Sequence, residues 1–210
     1  MATTTVFAGT NDDFLEAANA TYATALSTAS YTNGGAGIQI GQNFSTPTYY
    51  LDVAYFDFDT SSVPDGDTVS AAVLSLYLTV DHSTTDFVLD VAAFDWSASG
   101  LTTGDWRNQT QLAAHTVLAT LDTNGIGSVN AYKDFTEVAS GLAGAINKTG
   151  HTYLIVYSAR QAAGTTPSGE EFMTFSSADA ANQPKLVITH SGGGGGDFLD
   201  PMGSMGFFGA

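Results

Sequence analysis

Apolar and polar residues alternate in several short runs along the chain, the period-two signature of strands that bury one face. In Ala71–Val80 the residues Leu74, Leu76, Leu78 and Val80 point one way, and Val73, Ser75, Tyr77 and Thr79 the other. The same rhythm marks Ala54–Asp59, with Phe56 and Phe58 inward, and then Phe87–Phe94, Thr152–Ser158 and Glu171–Phe175. It returns in Lys185–His190, with Leu186 and Ile188 inward. Turn chemistry separates the runs: Val63-Pro64-Asp65-Gly66-Asp67, Asn33-Gly34-Gly35 and Asn124-Gly125 supply the fixed and positive-φ positions that tight turns need. One helix is expected after Asp134, with Glu137 as its capping-box partner and Val138, Leu142 and Ile146 as its apolar stripe. Ala17–Ser30 is ambiguous, because its alanines favour helix and its Thr and Tyr favour strand; its second half is read as strand.

These elements predict an all-β protein, a jelly-roll-like antiparallel β-sandwich with one short helix and a Gly-rich C-terminal tail. Residues 1–20 form an N-terminal arm or first strand, 21–190 the sandwich, and 191–210 a tether and tail. The tail has five consecutive glycines, Gly192 to Gly196, followed by Phe198, Leu199, Met202, Met205, Phe207 and Phe208. Such apolar residues on a flexible tether are expected to dock on a partner or on a neighbouring copy.

Charge narrows the function classes. The chain has 210 residues, with 5 Lys+Arg against 21 Asp+Glu and a net charge of −16. Five scattered basic residues cannot build a phosphate-neutralising footprint, so nucleic acid is excluded as a partner, and so is an anionic membrane surface. Only 12% of residues are charged, which leaves Thr, Ser, Asn and Gly to supply most of the polar surface. There is no Cys, hence no disulfide, thiolate ligand or cysteine nucleophile. The first residues lack a basic and then apolar signal, and no run reaches membrane-spanning length; membrane insertion is not expected, and synthesis in a cytoplasm without export is.

Searches for chemistry return little. His82, His115, His151 and His190 lie far apart, with no metal-binding spacing, and no nucleophile elbow or phosphate-binding loop occurs. Seventeen of the 21 acids are Asp, concentrated in turns and at strand ends, where they read as solvated turn carboxylates. Asp57 with Asp59, Asp65 with Asp67, and Asn11-Asp12-Asp13 offer oxygen donors for a structural Ca²⁺, but none has EF-hand spacing, and no cofactor is expected. Trp96, Trp106, Tyr49 and Tyr50 are the candidates for a sugar-stacking platform.

The stretch Phe56-Asp57-Phe58, Ser61-Ser62-Val63-Pro64, Gly66, Ala71-Ala72-Val73-Leu74 resembles the "FDLSSLPxGATIxSATLRLY" segment of the DNRLRE-type domain. Asp134-Phe135-Thr136-Glu137-Val138 with Gly141, Phe175-Ser176-Ser177, and Gln183-Pro184-Lys185-Leu186-Val187-Ile188 resemble its later motifs. The resemblance spans about Tyr22 to His190 and implies a β-sandwich related to carbohydrate-binding modules, of a kind found in bacterial surface proteins and phage proteins. The chain departs from the pattern at Tyr50-Leu51-Asp52-Val53, where arginines are usual, and at Ser75, where a basic residue is usual.

Together these readings lead to a non-enzymatic virion structural protein of a tailed phage. It would serve as capsid decoration or as part of a tail or fibre, with other virion proteins and copies of itself as partners. The alternative is a carbohydrate-binding module that attaches to cell-surface or extracellular polysaccharide, such as host glycans.

Overall fold

The structure, a computed structural model, describes residues 1–33, 37–96 and 100–192. The strands are β1 (Ala2–Phe7), β2 (Asp13–Asn19), β3 (Tyr31–Asn33), β4 (Gly37–Ser45), β5 (Thr48–Asp59), β6 (Thr68–Ser83) and β7 (Val88–Ala93). They continue as β8 (Ala119–Asp122), β9 (Ala131–Asp134), β10 (Thr136–Glu137), β11 (His151–Ser158), β12 (Glu170–Ser176) and β13 (Lys185–Ser191). All pair antiparallel in one curled sheet of order β1-β13-β6-β12-β4-β5-β11-β7-β8-β10, with β2 on β5, β3 on β2 and β9 on β6. The β4–β5 hairpin, whose turn carries a cis Thr46-Pro47 bond, carries the sheet from one half to the other.

The two halves enclose the main core, built from Phe56, Phe58, Leu74, Leu76, Leu78, Phe175, Leu186 and Ile188 among others. Fully burying one such side chain contributes roughly 1.5–3 kcal/mol. A second core lies on the opposite face of β2, β5, β11 and β7. There Leu51, Val53, Tyr55, Ile155 and Tyr157 pack beneath helices α1 (Tyr22–Ala25) and α2 (Gln109–Ala114) and beneath Trp96 and Trp106. Over residues 53–56 of β5 and 154–157 of β11, then, alternate side chains go to different cores, and these stretches are unbroken apolar runs because both faces are buried.

Three expectations are corrected. Val80 is 39% exposed rather than inward. A register shift sets Phe175 against Leu78 but Thr174 against Val80, so the extra residue, Thr79, turns the rest of the strand over. The helix after Asp134 shrinks to the single turn α3 (Gly141–Gly144). Asp134 instead ends β9 and accepts a hydrogen bond from Ser75 Oγ, and Ala139 and Ser140 take positive φ, which stops any helix from starting earlier. Glu137 still caps that turn by accepting from the Ala143 N–H, and Leu142 and Ile146 are buried as expected. In Ala17–Ser30 the second half is not a strand: the first residues finish β2, α1 takes the middle, and a turn and irregular chain follow.

A fourth helix, α4 (Ala159–Ala162), is capped by the Ser158 hydroxyl, which accepts from the Arg160 N–H. Among the described residues no helix is long and apolar enough to cross a membrane. Gly34, Gly35 and the expected docking residues Phe198, Leu199, Met202, Met205, Phe207 and Phe208 lie outside the described residues.

Candidate functional site

Where the β4–β5 hairpin joins β2 and β12, the sheet forms a cleft of about 250 Å³ lined by Glu16, Gln39, Asn43, Ser45, Tyr50, Asp52 and Phe172. Strand register explains the grouping. Asn43 stands opposite Tyr50, Gly41 opposite Asp52, and Glu16 opposite Asp52 from the other side. Gly41 is in turn opposite Phe172. Tyr50 and Asp52 continue the face of β5 that further along carries Ala54, Phe56 and Phe58, so the cleft is the polar end of a row that is otherwise core.

Gly41 makes this junction. Its φ of +133° is open to glycine, and a Cβ there would lie 2.3 Å from the Glu171 carbonyl oxygen and 2.7 Å from the Phe172 Cα. The close approach of β4 to β12 therefore requires the missing side chain. Behind it, on the other face, Gln42 Nε2 donates to Glu171 at 2.7 Å, Tyr22 Oη donates to Gln42 Oε1, Arg160 pairs with Glu171, and Gln161 Nε2 donates to the Gly41 carbonyl. This buried network holds the backbone of the cleft floor rigidly.

The chemistry of the lining is unusual for a surface hollow. Asp52 is only 2% exposed, and its Oδ1 has no hydrogen-bond partner; Asn43 Oδ1 is likewise buried and unpartnered. Burial, and then the neighbouring Glu16 carboxylate, hold the Asp52 carboxyl well above the usual carboxylate range. Leaving such an oxygen without a partner costs about 1–3 kcal/mol. Beside them stand two aromatic rings, Tyr50 and Phe172, the latter stacked on His82 with ring centroids 4.5 Å apart.

The four aromatic candidates are not brought together. Tyr50 lines the cleft, whereas Tyr49 points to the other face and packs on Phe44 and Tyr22. Trp96 and Trp106 are 4% and 7% exposed, inside the second core; Trp96 meets Tyr55 and Tyr153 edge-on, and Trp106 Nε1 donates to the Leu26 carbonyl at 3.1 Å. Neither indole offers an open face for stacking. The acidic clusters are also dispersed: Asp57 accepts from His151, Asp67 pairs with His190, and Asp59 accepts from Ser61. Among the described residues no three His, Asp or Glu side chains converge as a metal's donor set would.

Two further hollows among the described residues compare poorly with it. One, at Ala23, Leu26, Ser27, Asn108, Gln109 and Thr110, brings no charged or aromatic group to its wall. The other is bounded by Phe94, Arg107, Gln111, Ala114 and His115, and its cation rests on the Phe94 ring 3.8 Å from the centroid.

Comparison with protein-family models matches residues 11–190 to carbohydrate-binding module family 96. The chain belongs to that family. The match takes in every strand from β2 to β12 and nearly all of β13, and with them every residue of the cleft. A carbohydrate-binding module is a non-catalytic domain, in keeping with a sequence in which no catalytic motif was found. A search of curated proteins gives no match to the chain.

Of the cleft residues, sequence reasoning singled out only Tyr50. A signal for Asn43 and Asp52 was present: a hairpin turning at Thr46-Pro47 sets 45 against 48, 43 against 50 and 41 against 52. An aspartate amid the apolar run of β5 was the anomaly to follow. Glu16 and Phe172 arrive from distant strands, and no local pattern announces them.

Proposed function

We propose that this member of carbohydrate-binding module family 96 binds a glycan, without cleaving it, in the cleft at Tyr50, Asp52 and Asn43. The observation that carries the reading is the pairing of aromatic surface with buried oxygens that lack a protein partner. A sugar presents both complements, an apolar C–H face for Tyr50 and Phe172 and hydroxyl donors for Asn43 Oδ1 and Asp52 Oδ1. The small volume suits one ring rather than a long stretch of chain, and pre-formed walls keep the ordering cost of binding low.

The virion structural role, and the kinship to DNRLRE-type domains in phage proteins, rest on motif resemblance and on the segment 193–210, outside the described residues. Carbohydrate binding has the family and the cleft behind it, and is the reading adopted.

Isothermal titration with a panel of oligosaccharides tests it. A binding glycan is expected to lose at least about tenfold in affinity with Tyr50→Ala, the loss of one stacked ring and its hydrogen bond. Trp106→Phe, in the second core, should leave the affinity as it was. Retained affinity in Tyr50→Ala would place the glycan elsewhere.

A further inference from the structure

We infer that the open edge of β1 is a pairing surface for a second copy of this chain, joined strand to strand and antiparallel about a two-fold axis at Thr4. β1 ends the sheet: among the described residues its one strand neighbour is β13. The strand lies outside residues 11–190, the segment that matches the family.

The Ala8 N–H donates to the Pro184 carbonyl at 2.9 Å, and the β1–β13 register runs without a break from there to Ala2 opposite His190. Antiparallel pairs alternate between bonded and unbonded, so the N–H and C=O of Ala2, Thr4 and Val6 turn to β13 and those of Thr3 and Thr5 turn outward. The edge is held in place, since Thr4 Oγ1 lies 2.9 Å from His190 Nε2 and His190 Nδ1 meets Asp67 at 2.6 Å. Its six residues include no charged side chain, no proline and no bulge, the usual guards of an exposed edge. The other described strands with a single neighbour differ: β10 has two residues, β3 three, and β9 four with Lys133 and Asp134 among them.

The occupant follows from charge and self-complementarity. The chain carries 21 Asp+Glu, yet β1, β13 and residues 68–80 of β6 have none, so two copies of net charge −16 can meet here with little repulsion between nearby groups. With Thr4 opposite Thr4 of the second copy, Thr3 of each falls opposite Thr5 of the other, and the outward N–H and C=O groups of both are satisfied together. Threonine pairs across strands are themselves favourable, and Ala2 comes opposite Val6. At the two ends of the pairing Met1 comes opposite Phe7, residues 98% and 51% exposed in the single chain.

Six residues of strand span about 20 Å. A contact of that length falls short of the roughly 1,000 Å² of a permanent interface, so the dimer is reversible. Sedimentation velocity of the full chain at rising concentration tests it, and should find mostly monomer at about 10 µM and mostly dimer at about 1 mM. Hydrogen exchange followed residue by residue should show the Thr3 and Thr5 amides gaining protection over the same range, while those of Thr4 and Val6, already bonded to β13, stay as they were. Thr5→Pro removes an outward N–H and spares the bonds to β13, and Thr3→Lys sets like charges on the two sides of the axis. Each should weaken dimerisation at least about tenfold, with melting curves confirming that both variants fold.

A monomer at every concentration overturns the inference. So does a dimer that both strand variants keep, since association then runs through another surface. A dimer lost when Phe207→Ser and Phe208→Ser are made together in the full chain, and kept in Thr5→Pro, puts the contact in residues 193–210 and overturns it as well.

Discussion

At the scale of single residues, the molecule's burial of carboxyl groups sets its response to pH. Burial raises Asp12 to about 7, with Asp179 and Asp13 adding repulsion, and raises Asp13 and Asp90 to about 6. A carboxyl whose folded value lies above its unfolded one binds its proton more tightly in the folded state. The stability it contributes is complete below the ordinary carboxylate pKa and is lost as pH rises through the folded value. His151, raised chiefly by its hydrogen bond to Asp57, has the same sign; His115, lowered chiefly by burial, opposes it. Asp52, raised by burial and by Glu16, has the same sign, and four carboxyls and one histidine outweigh one histidine, so the melting temperature should rise as pH falls from about 8 to about 5. Asp12→Asn should flatten the upper part of that rise, because the mutant has no carboxyl titrating near neutrality. Melting curves that fall on acidification through this window would show that other groups dominate.

At the scale of elements, β5 and β11 carry the argument, because each serves two cores at once. Leu154 belongs to the main core and Ile155 to the second, and both are fully buried. Replacing either by Ala should cost about 2–5 kcal/mol in urea denaturation, whereas a strand with one wet face would show the loss at alternate positions only. Gly41→Ala should be comparably harmful, about 2 kcal/mol or more, since it meets both a strained φ and a backbone contact of 2.3 Å. Its damage should reach glycan affinity too, through the displaced Phe172. Strands with regular alternation, such as the 71–78 part of β6, were legible in the sequence because one periodicity decides one face. The bulge at Thr79 was not, because a register shift is set by the partner strand β12 and leaves no mark on β6 itself. The helix expected at Asp134 failed for a similar reason: pairing with Ser75 on β6 outcompeted a local capping pattern. Tyr50 was legible as an aromatic on a strand, while Trp96 and Trp106 misled because a helical cover over the second face, formed from residues far apart in the chain, had no local signature.

At the scale of the whole molecule, the sheet is finished by its first strand. β1 pairs with β13 from Ala2 opposite His190 to Phe7 opposite Lys185, and Thr4 Oγ1 lies 2.9 Å from His190 Nε2, whose other ring nitrogen meets Asp67. Deleting residues 1–8 should lower the melting temperature and promote aggregation, because it uncovers the hydrogen-bonding edge of β13. Unchanged solution behaviour in that deletion would mean that β1 is dispensable. The remaining consequence concerns reach. β6 has 16 residues and spans the molecule: its start, Thr68, stands opposite Ser191 near Ala2, while its far end places His82 opposite Phe172 at the cleft. At the rise of an extended strand, these ends lie about 45 Å apart. A sensor chip or a fluorescent label coupled to the exposed Met1 would therefore grip one pole of the particle and leave the opposite pole, with the cleft proposed for glycan, turned toward the bulk liquid.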